Sequence, residues 1–269
     1  MAVFYDTHAH LGFPDFREDF GGVIARAQAA GIGRIVCVGT DFASSENAVR
    51  LSEQFDCVYA AVGWHPGHVL EAPDDLRPRL RELARHRKVV AIGETGLDYF
   101  RVPSTRGGTP DDDACYKEKQ GRLFRQQLEV AAETGLNCVI HQRGEVFEET
   151  LAEMQPFAGR VRGVFHCFAG DTAALQRILA LNSIVSFTGI LTFKNGQNVR
   201  DALAAAPERR FMLETDCPFL APVPYRGQRC EPAHVKEIAE AAAQVKGCSL
   251  EELSAATCAT AREFLPKLR

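Results

Sequence analysis

The chain has no C-x-x-C pair, and its nine cysteines are an odd number that cannot all pair within one molecule. They read as reduced, mostly buried thiols. No uninterrupted apolar stretch approaches the roughly 18 residues that a membrane helix needs. The N-terminus also lacks the basic, apolar and small-residue order of a signal peptide. The expectation is a cytoplasmic protein that does not span a membrane. Positive charge is not in excess either: 31 Lys and Arg face 35 Asp and Glu, for a net charge of −4. That balance argues against broad, charge-driven binding to duplex nucleic acid, while leaving room for a local basic rim. Any nucleic-acid role is then local and directed at chain ends. Tandem repeats are absent, and nothing in the sequence asks for an obligate protein partner, so the expectation is a monomer.

What is present is an ordinary globular composition, 269 residues with 46% hydrophobic and 25% charged content. Short β-branched runs alternate with Ala- and Leu-rich amphipathic segments, the pattern of repeated β-then-α units around a parallel sheet. The strand-like runs are Val3–Asp6, Arg34–Gly39, Cys57–Gly63, Val89–Gly93, Asn137–His141, Gly163–His166, Ile184–Phe187 and Arg210–Glu214. Eight such units in a chain of this length predict an α/β (β/α)8 TIM-type barrel, with residues 1–269 forming one domain. Helices are predicted over Phe16–Ala30, ending at Gly31, and over Tyr116–Thr134, ending at Gly135, each glycine a natural left-handed stop. Ser249-Leu250-Glu251-Glu252 has capping-box spacing and opens an extra C-terminal helical segment. A doubly wound open sheet is the rival, but the Gly-rich phosphate turn it usually carries after strand one is missing.

The chemistry appears when the polar residues are placed on this scaffold. His8 and His10, two apart in an extended run, point to the same side and can reach one ion. Alone, the pair also fits a surface patch or two hydrogen-bonded core residues. Glu94 follows the fourth strand, His141 ends the fifth, His166 ends the sixth and Asp216 follows the eighth. All strand ends of a barrel face one mouth, so six oxygen and nitrogen ligands converge there. Burying so many ionisable groups is unfavourable without a cation or full pairing. Six ligands exceed the three that one catalytic zinc uses, and two divalent ions fit better. Glu94 is the natural bridge. His8, His10 and Asp216 join it on one ion, and His141 and His166 on the other. A pair about 4 Å apart activates a water and stabilises charge on a phosphoryl or carbonyl oxygen. Asp216 is also a candidate to shuttle the proton of that water to the leaving oxygen, which makes Asp216 and Glu94 the candidate catalytic pair.

At these residues the chain resembles the TatD family of metal-dependent deoxyribonucleases, a branch of the amidohydrolase-like barrels. The resemblance spans almost the whole chain. It rests on Asp6-Thr7-His8-Ala9-His10-Leu11, Gly63-Trp64-His65-Pro66, Gly93-Glu94-Thr95-Gly96-Leu97-Asp98-Tyr99, His141-Gln142-Arg143, His166-Cys167-Phe168-Ala169-Gly170 and Glu214-Thr215-Asp216-Cys217-Pro218. It implies a barrel hydrolysing phosphodiesters from the 3′ end of single-stranded DNA, in some members RNA, with Mg²⁺ support and a role in DNA repair or fragmentation. Its metal ligands fall on the same six residues, and His65 takes the place of a substrate-phosphate contact. Three departures stand out. Arg143 is followed by Gly144-Glu145 rather than Asp-Ala; Arg229-Cys230-Glu231-Pro232 has Cys where many members have Asn; and residues 100–115 form a longer segment than expected, rich in Gly, Pro and Asp, which reads as a mobile surface loop, either a lid over the mouth or an inert solvated insertion.

Around the mouth, Arg101, Arg143, Lys194, Arg226 and Arg229 are candidates for a phosphate-binding rim, with Arg143 and Lys194 foremost beside His65 as substrate contacts. Trp64 and Tyr99 are candidates to stack on bases, although packing suits Trp64 better. His68 and His234 read as structural. Glu214 reads as a hydrogen-bonding partner to a ligand histidine rather than a ligand. Four imidazoles suit Zn²⁺ or Mn²⁺ better than Mg²⁺, so ligand chemistry and family habit diverge, and an exchangeable second ion would reconcile them. Besides a two-metal nuclease acting on single-stranded ends, the sequence admits an amidohydrolase cleaving a C–N or carboxylic-ester bond, and a barrel with a silent structural metal. Many amidohydrolases bridge their metals with a lysine carbamate where this chain has Glu94, and structural sites saturate their ion, so the nuclease stands first.

Overall fold

Parallel neighbours cannot be joined by tight hairpins, so each strand must be followed by a crossover, usually a helix. The computed structural model, which describes residues 2–268, follows that constraint around a complete turn. Strands β1 (Phe4–Ala9), β2 (Ile32–Val38), β3 (Val58–Val62), β4 (Val89–Asp98), β5 (Asn137–Arg143), β6 (Gly163–Phe165), β7 (Ile184–Phe187) and β8 (Phe211–Leu213) lie side by side in sequence order, every pair parallel. Between and after them run α1 (Phe20–Ala29), α2 (Phe42–Gln54), α3 (Arg77–Ala84), α4 (Pro110–Thr134), α5 (Phe147–Met154), α6 (Thr172–Ala180), α7 (Gln197–Ala205), α8 (Val235–Lys246) and α9 (Leu250–Phe264). The end of β8 returns to β1. Ala9 bridges Cys217 in parallel, Thr7 Oγ1 donates to Leu213 O at 3.1 Å, and Asp216 N donates to His8 O at 2.9 Å. This is the (β/α)8 barrel that the sequence predicts.

The period-two alternation of a strand divides the apolar residues into two layers. Ile35, Cys37, Val58, Ala60 and Val62 belong to the outer layer between strands and helices. Their neighbours Val36, Val38, Tyr59 and Ala61 instead join Val90, Val139, Val164, Ile184 and Met212 inside the barrel. Ala261, Phe264, Leu265 and Leu268 pack into that inner cluster, so the end of α9 plugs the bottom of the barrel. Asn137 Nδ2, at the start of β5, donates to Phe264 O at 2.6 Å and fastens the plug. Helix α9 begins at the capping box read from sequence, with Ser249 accepting from Glu252 N and the Glu252 side chain bonded back to Ser249 N. All nine cysteines are free thiols.

Several boundaries differ from the sequence expectation, each for a physical reason. Strand β1 continues to Ala9 because the return of β8 supplies partners for its last residues. Strand β4 continues past Gly93 to Asp98, where Gly96, Leu97 and Asp98 pair with His141, Gln142 and Arg143 of β5. Helix α1 starts at Phe20, and residues Pro14–Phe16 form a separate 3-10 turn. Helix α4 starts at Pro110 rather than Tyr116. Thr109 and Asp112 form a capping box, Pro110 occupies the first turn, and Asp111, Asp112 and Asp113 favour the positive helix terminus. Residues 110–115 of the segment expected to be a mobile loop are thus the start of a helix. The remainder is pinned to it, with Ser104 N and Oγ donating to the Asp113 carboxylate at 2.8 and 2.6 Å. Among the described residues no helix is long and apolar enough to cross a membrane.

If the plug closes the barrel, Phe264→Ala, which empties a fully buried site, lowers unfolding free energy by about 3–5 kcal/mol in urea denaturation. Ser249→Ala, which removes only the cap, costs about 1 kcal/mol.

Candidate metal centre

The barrel's alternation also aims the polar residues. Val139 and Val164 point inward, so His141 and His166, two residues further along the same chain direction, point inward as well. Met212 places Glu214 by the same rule, and Ile184 places Ser186. The structure brings His8, His10, Glu94, His141, His166 and Asp216 together at the strand C-terminal ends. Glu94 lies at their centre, 2% exposed. Its Oε1 is 2.8 Å from both His141 Nδ1 and His166 Nε2. Its Oε2 is 3.6 Å from His8 Nε2 and 3.5 Å from His10 Nε2. Asp216 Oδ1 stands 3.7 and 3.4 Å from those two rings. Within each half the imidazole nitrogens are 3.2 Å apart.

Whether these groups fit a cation is settled by where their protons can go. His10 Nδ1 faces Val38 O at 3.3 Å, and a carbonyl only accepts, so Nδ1 carries the proton and Nε2 presents its lone pair to the cluster. His141 Nε2 faces the Asp98 carboxylate at 3.2 Å, which leaves Nδ1 as a lone pair aimed at the Glu94 oxygen. Lone pair against lone pair at 2.8 Å is repulsive unless a metal ion or an added proton lies between them. Without a metal, protons meet the same demand. Burial alone would raise the Glu94 carboxyl, yet the charge of His166 and the hydrogen bonds of His141 and His166 bring it well below the usual range. Burial likewise opposes charge on His166, yet Glu94 and Glu214 raise it well above an ordinary imidazole. Positive charge is thus drawn to the cluster, as protons on its imidazoles when no metal is bound, and its nitrogen and oxygen donors suit divalent ions in their place.

Groups behind the cluster hold it in place. Asp6, fully buried, accepts from Thr215 N at 2.9 Å and Thr215 Oγ1 at 2.6 Å, tying β1 to the strand end that carries Asp216. Burial pushes the Asp6 carboxyl up to about 8. Glu214 stands 3.7 Å from His166 Nδ1, beyond hydrogen-bond range, and instead accepts from Cys167 N and Ser186 Oγ at 2.6 Å each. The expected histidine hydrogen bond is therefore replaced by a clamp on the ends of β6 and β7. Asp216 and Cys167 adopt left-handed backbone conformations, with φ of 56° and 47°. Non-glycine residues persist there only when their surroundings over-determine them, as at the rims of sites.

His65 lies beside the cluster, its Nε2 3.5 Å from Glu94 Oε1. Its Nδ1 accepts from Gly67 N at 2.9 Å, and burial lowers its pKa to about 3, so the ring is neutral with the proton on Nε2. A ring in that tautomer donates into the mouth and offers no lone pair there. Arg143 stacks over Phe100, 4.1 Å from the ring centroid, and lines a cavity of about 620 Å³ that also touches His166, Cys167 and Phe168. Lys194 is exposed beyond the turn that follows β7. Arg229 is not free for phosphate: it donates to Asp15 O at 2.6 Å and pairs with Asp19, while Arg26 joins Asp19 to Glu231. The Arg229–Pro232 segment thereby anchors a loop to α1, and Cys230 is buried in it. Arg226 lies over Phe193 and donates to Ala221 O. Trp64 packs, with Nε1 bonded to His68 O at 2.9 Å, and Tyr99 donates to Glu149 at 2.6 Å.

A family model described as TatD related DNase matches residues 5–266. The chain is 36% identical over 262 residues to a Bacillus subtilis protein named uncharacterized metal-dependent hydrolase YabD, covering 97% of this chain and 98% of that one. It is 32% identical over 267 residues to the 3′-5′ ssDNA/RNA exonuclease TatD of Erwinia tasmaniensis, covering 97% and 98%. Among solved structures it resembles YjjV, a TatD homolog from Escherichia coli K12, with a TM-score of 0.87, 27% identity and 98% of each chain covered.

Asp98 is not apparent from the sequence because the β-branched run of β4 ends before it. The usable signal was parity: residues 94, 96 and 98 of one extended strand share a side. Asp98 fixes the His141 tautomer, so Asp98→Asn is expected to weaken divalent-metal affinity about 10- to 100-fold, measured by titration of the metal-free protein. The fold, followed by circular dichroism, should be retained.

Proposed function

This chain belongs to the TatD family of DNase-related proteins and is a metal-dependent hydrolase, and we propose that it removes nucleotides from the 3′ end of single-stranded DNA or RNA using two divalent ions. The observation that carries the two-ion reading is the division of the Glu94 carboxylate, with Oε1 toward His141 and His166 and Oε2 toward His8 and His10. Four carboxylates, Glu94, Asp98, Glu214 and Asp216, stand among the imidazole donors, a negative charge that two divalent ions would balance once they displace the imidazole protons. When bound, such ions activate water and neutralise charge on a phosphoryl oxygen. The nucleic-acid substrate and its direction are supported by the names of relatives such as the Erwinia exonuclease.

The chain's own residues then have distinct tasks. Glu94 bridges the two halves and fixes their separation. Asp216, with a side chain 14% exposed against 3% for Glu94, is the more open carboxylate, and it takes the proton of the attacking water and returns it to the leaving oxygen. His65 donates its Nε2 proton to a phosphate oxygen. Arg143, braced on Phe100, gives a bidentate contact to the next phosphate along the strand, and Lys194 adds an exposed charge farther out. The histidine-rich donor set retains Zn²⁺ or Mn²⁺ more tightly than Mg²⁺, which serves as an exchangeable ion.

With single-stranded DNA labelled at its 5′ end, the protein is expected to shorten the strand from the 3′ end in Mg²⁺ or Mn²⁺ and to stop in EDTA. Asp216→Asn is expected to lower the rate about 100-fold or more. Amide and lactone substrates run in parallel address the amidohydrolase alternative. Their turnover, with no strand shortened under any divalent metal, would overturn the nuclease proposal.

A further inference from the structure

The chain contains 17 phenylalanines. Most are buried or half-buried, but Phe100 and Phe219 are 54% and 52% exposed. Both sit on loops that leave the mouth ends of strands, β4 and β8. An exposed apolar residue by itself is ordinary. Phe219 is distinguished by what surrounds it. Its N–H donates to Asp216 O at 3.0 Å, so its position is set by the turn that presents a candidate ligand. Its ring meets Phe13 edge-on at 6.1 Å, and Phe13 in turn stacks on the His10 imidazole at 4.8 Å and 19°. Phe219 also meets His10 directly at 6.4 Å. An unbroken aromatic series therefore runs from a candidate metal ligand out to solvent.

From this series we infer that Phe219, supported by Phe13, is a stacking platform for the nucleobase next to the bond being cut. The inference rests on the nuclease reading and adds to it how the strand is gripped without sequence preference. Every base has a π-face, so an aromatic platform tolerates any of them. The platform lies on the β1 and β8 side, whereas Arg143 and the cavity beside His166 lie on the β5 and β6 side. A strand crossing the mouth thus meets a base contact on one side of the cluster and a phosphate contact on the other. The opposite rim aromatic, Phe100, does not duplicate the platform because Arg143 covers its face at 4.1 Å.

The metal-loaded protein is tested on two 5′-labelled strands, one intact and one lacking the bases of its last two nucleotides. The intact strand is expected to have a KM about 5- to 100-fold lower than the abasic one, the range of one aromatic stacking contact. In Phe219→Ala that preference collapses toward unity, and Phe219→Trp restores it. A 2-aminopurine at the 3′ end, read on rapid mixing before cleavage, reports stacking apart from turnover: its fluorescence is quenched by the wild type and stays bright with Phe219→Ala. A wild-type preference that survives in Phe219→Ala, or a loss common to both strands, overturns the platform while leaving the nuclease reading intact. Failure of the wild type to cleave either strand overturns the nuclease reading itself, and with it the platform.

Discussion

A carboxylate buried at 2% exposure among imidazoles is stable only if positive charge is brought to it, and the mouth of this barrel is arranged around that requirement. Glu94 cannot be satisfied by its histidines as neutral rings, because Asp98 and Val38 O already fix the protons of His141 and His10 on their far sides. The protein thus builds a pocket that attracts cations through its own proton economy. The supporting groups follow from the same need. Asp6 ties the strand bearing His8 to Thr215, and Glu214 clamps Cys167 and Ser186. Each fixes a strand end that carries a donor.

The two ends of the barrel divide the labour. At the bottom, apolar side chains of α9 fill the space inside the strands, and stability is concentrated there. At the top the same strands carry polar ends, strained turns at Cys167 and Asp216, and a carboxylate, Asp216, that is 14% exposed. Native barrels commonly place stability and chemistry at opposite faces, and the alternation of one strand serves both: Val139 packs inward below, and His141 follows it inward above.

Much of this was legible in the sequence because a barrel converts strand order into spatial convergence. His8, His10, Glu94, His141, His166 and Asp216 could be grouped without any coordinates, since each stood at a strand end. The strand lengths were less legible. Thr95-Gly96-Leu97-Asp98 lacks β-branched character beyond Thr95 and is strand only because β5 pairs with it. Asp98 was lost with that extension. The start of α4 was hidden because Pro and Asp mark both loops and helix N-termini, and only the Thr109–Asp112 spacing separates the two. The sequence also counted Arg229 among rim charges, since its partners Asp15 and Asp19 lie more than 200 residues away in the chain. Side chains paired across such distances are a property of the fold and leave no local mark.

Glu94 is proposed to divide one pocket between two divalent ions. This division is tested most directly by crystals of the protein grown with Mn²⁺ and measured at the manganese absorption edge. The account predicts two anomalous peaks flanking the Glu94 carboxylate, one contacted by His8, His10 and Asp216 and the other by His141 and His166. A single peak at saturating metal, or peaks that do not touch Glu94, would contradict it.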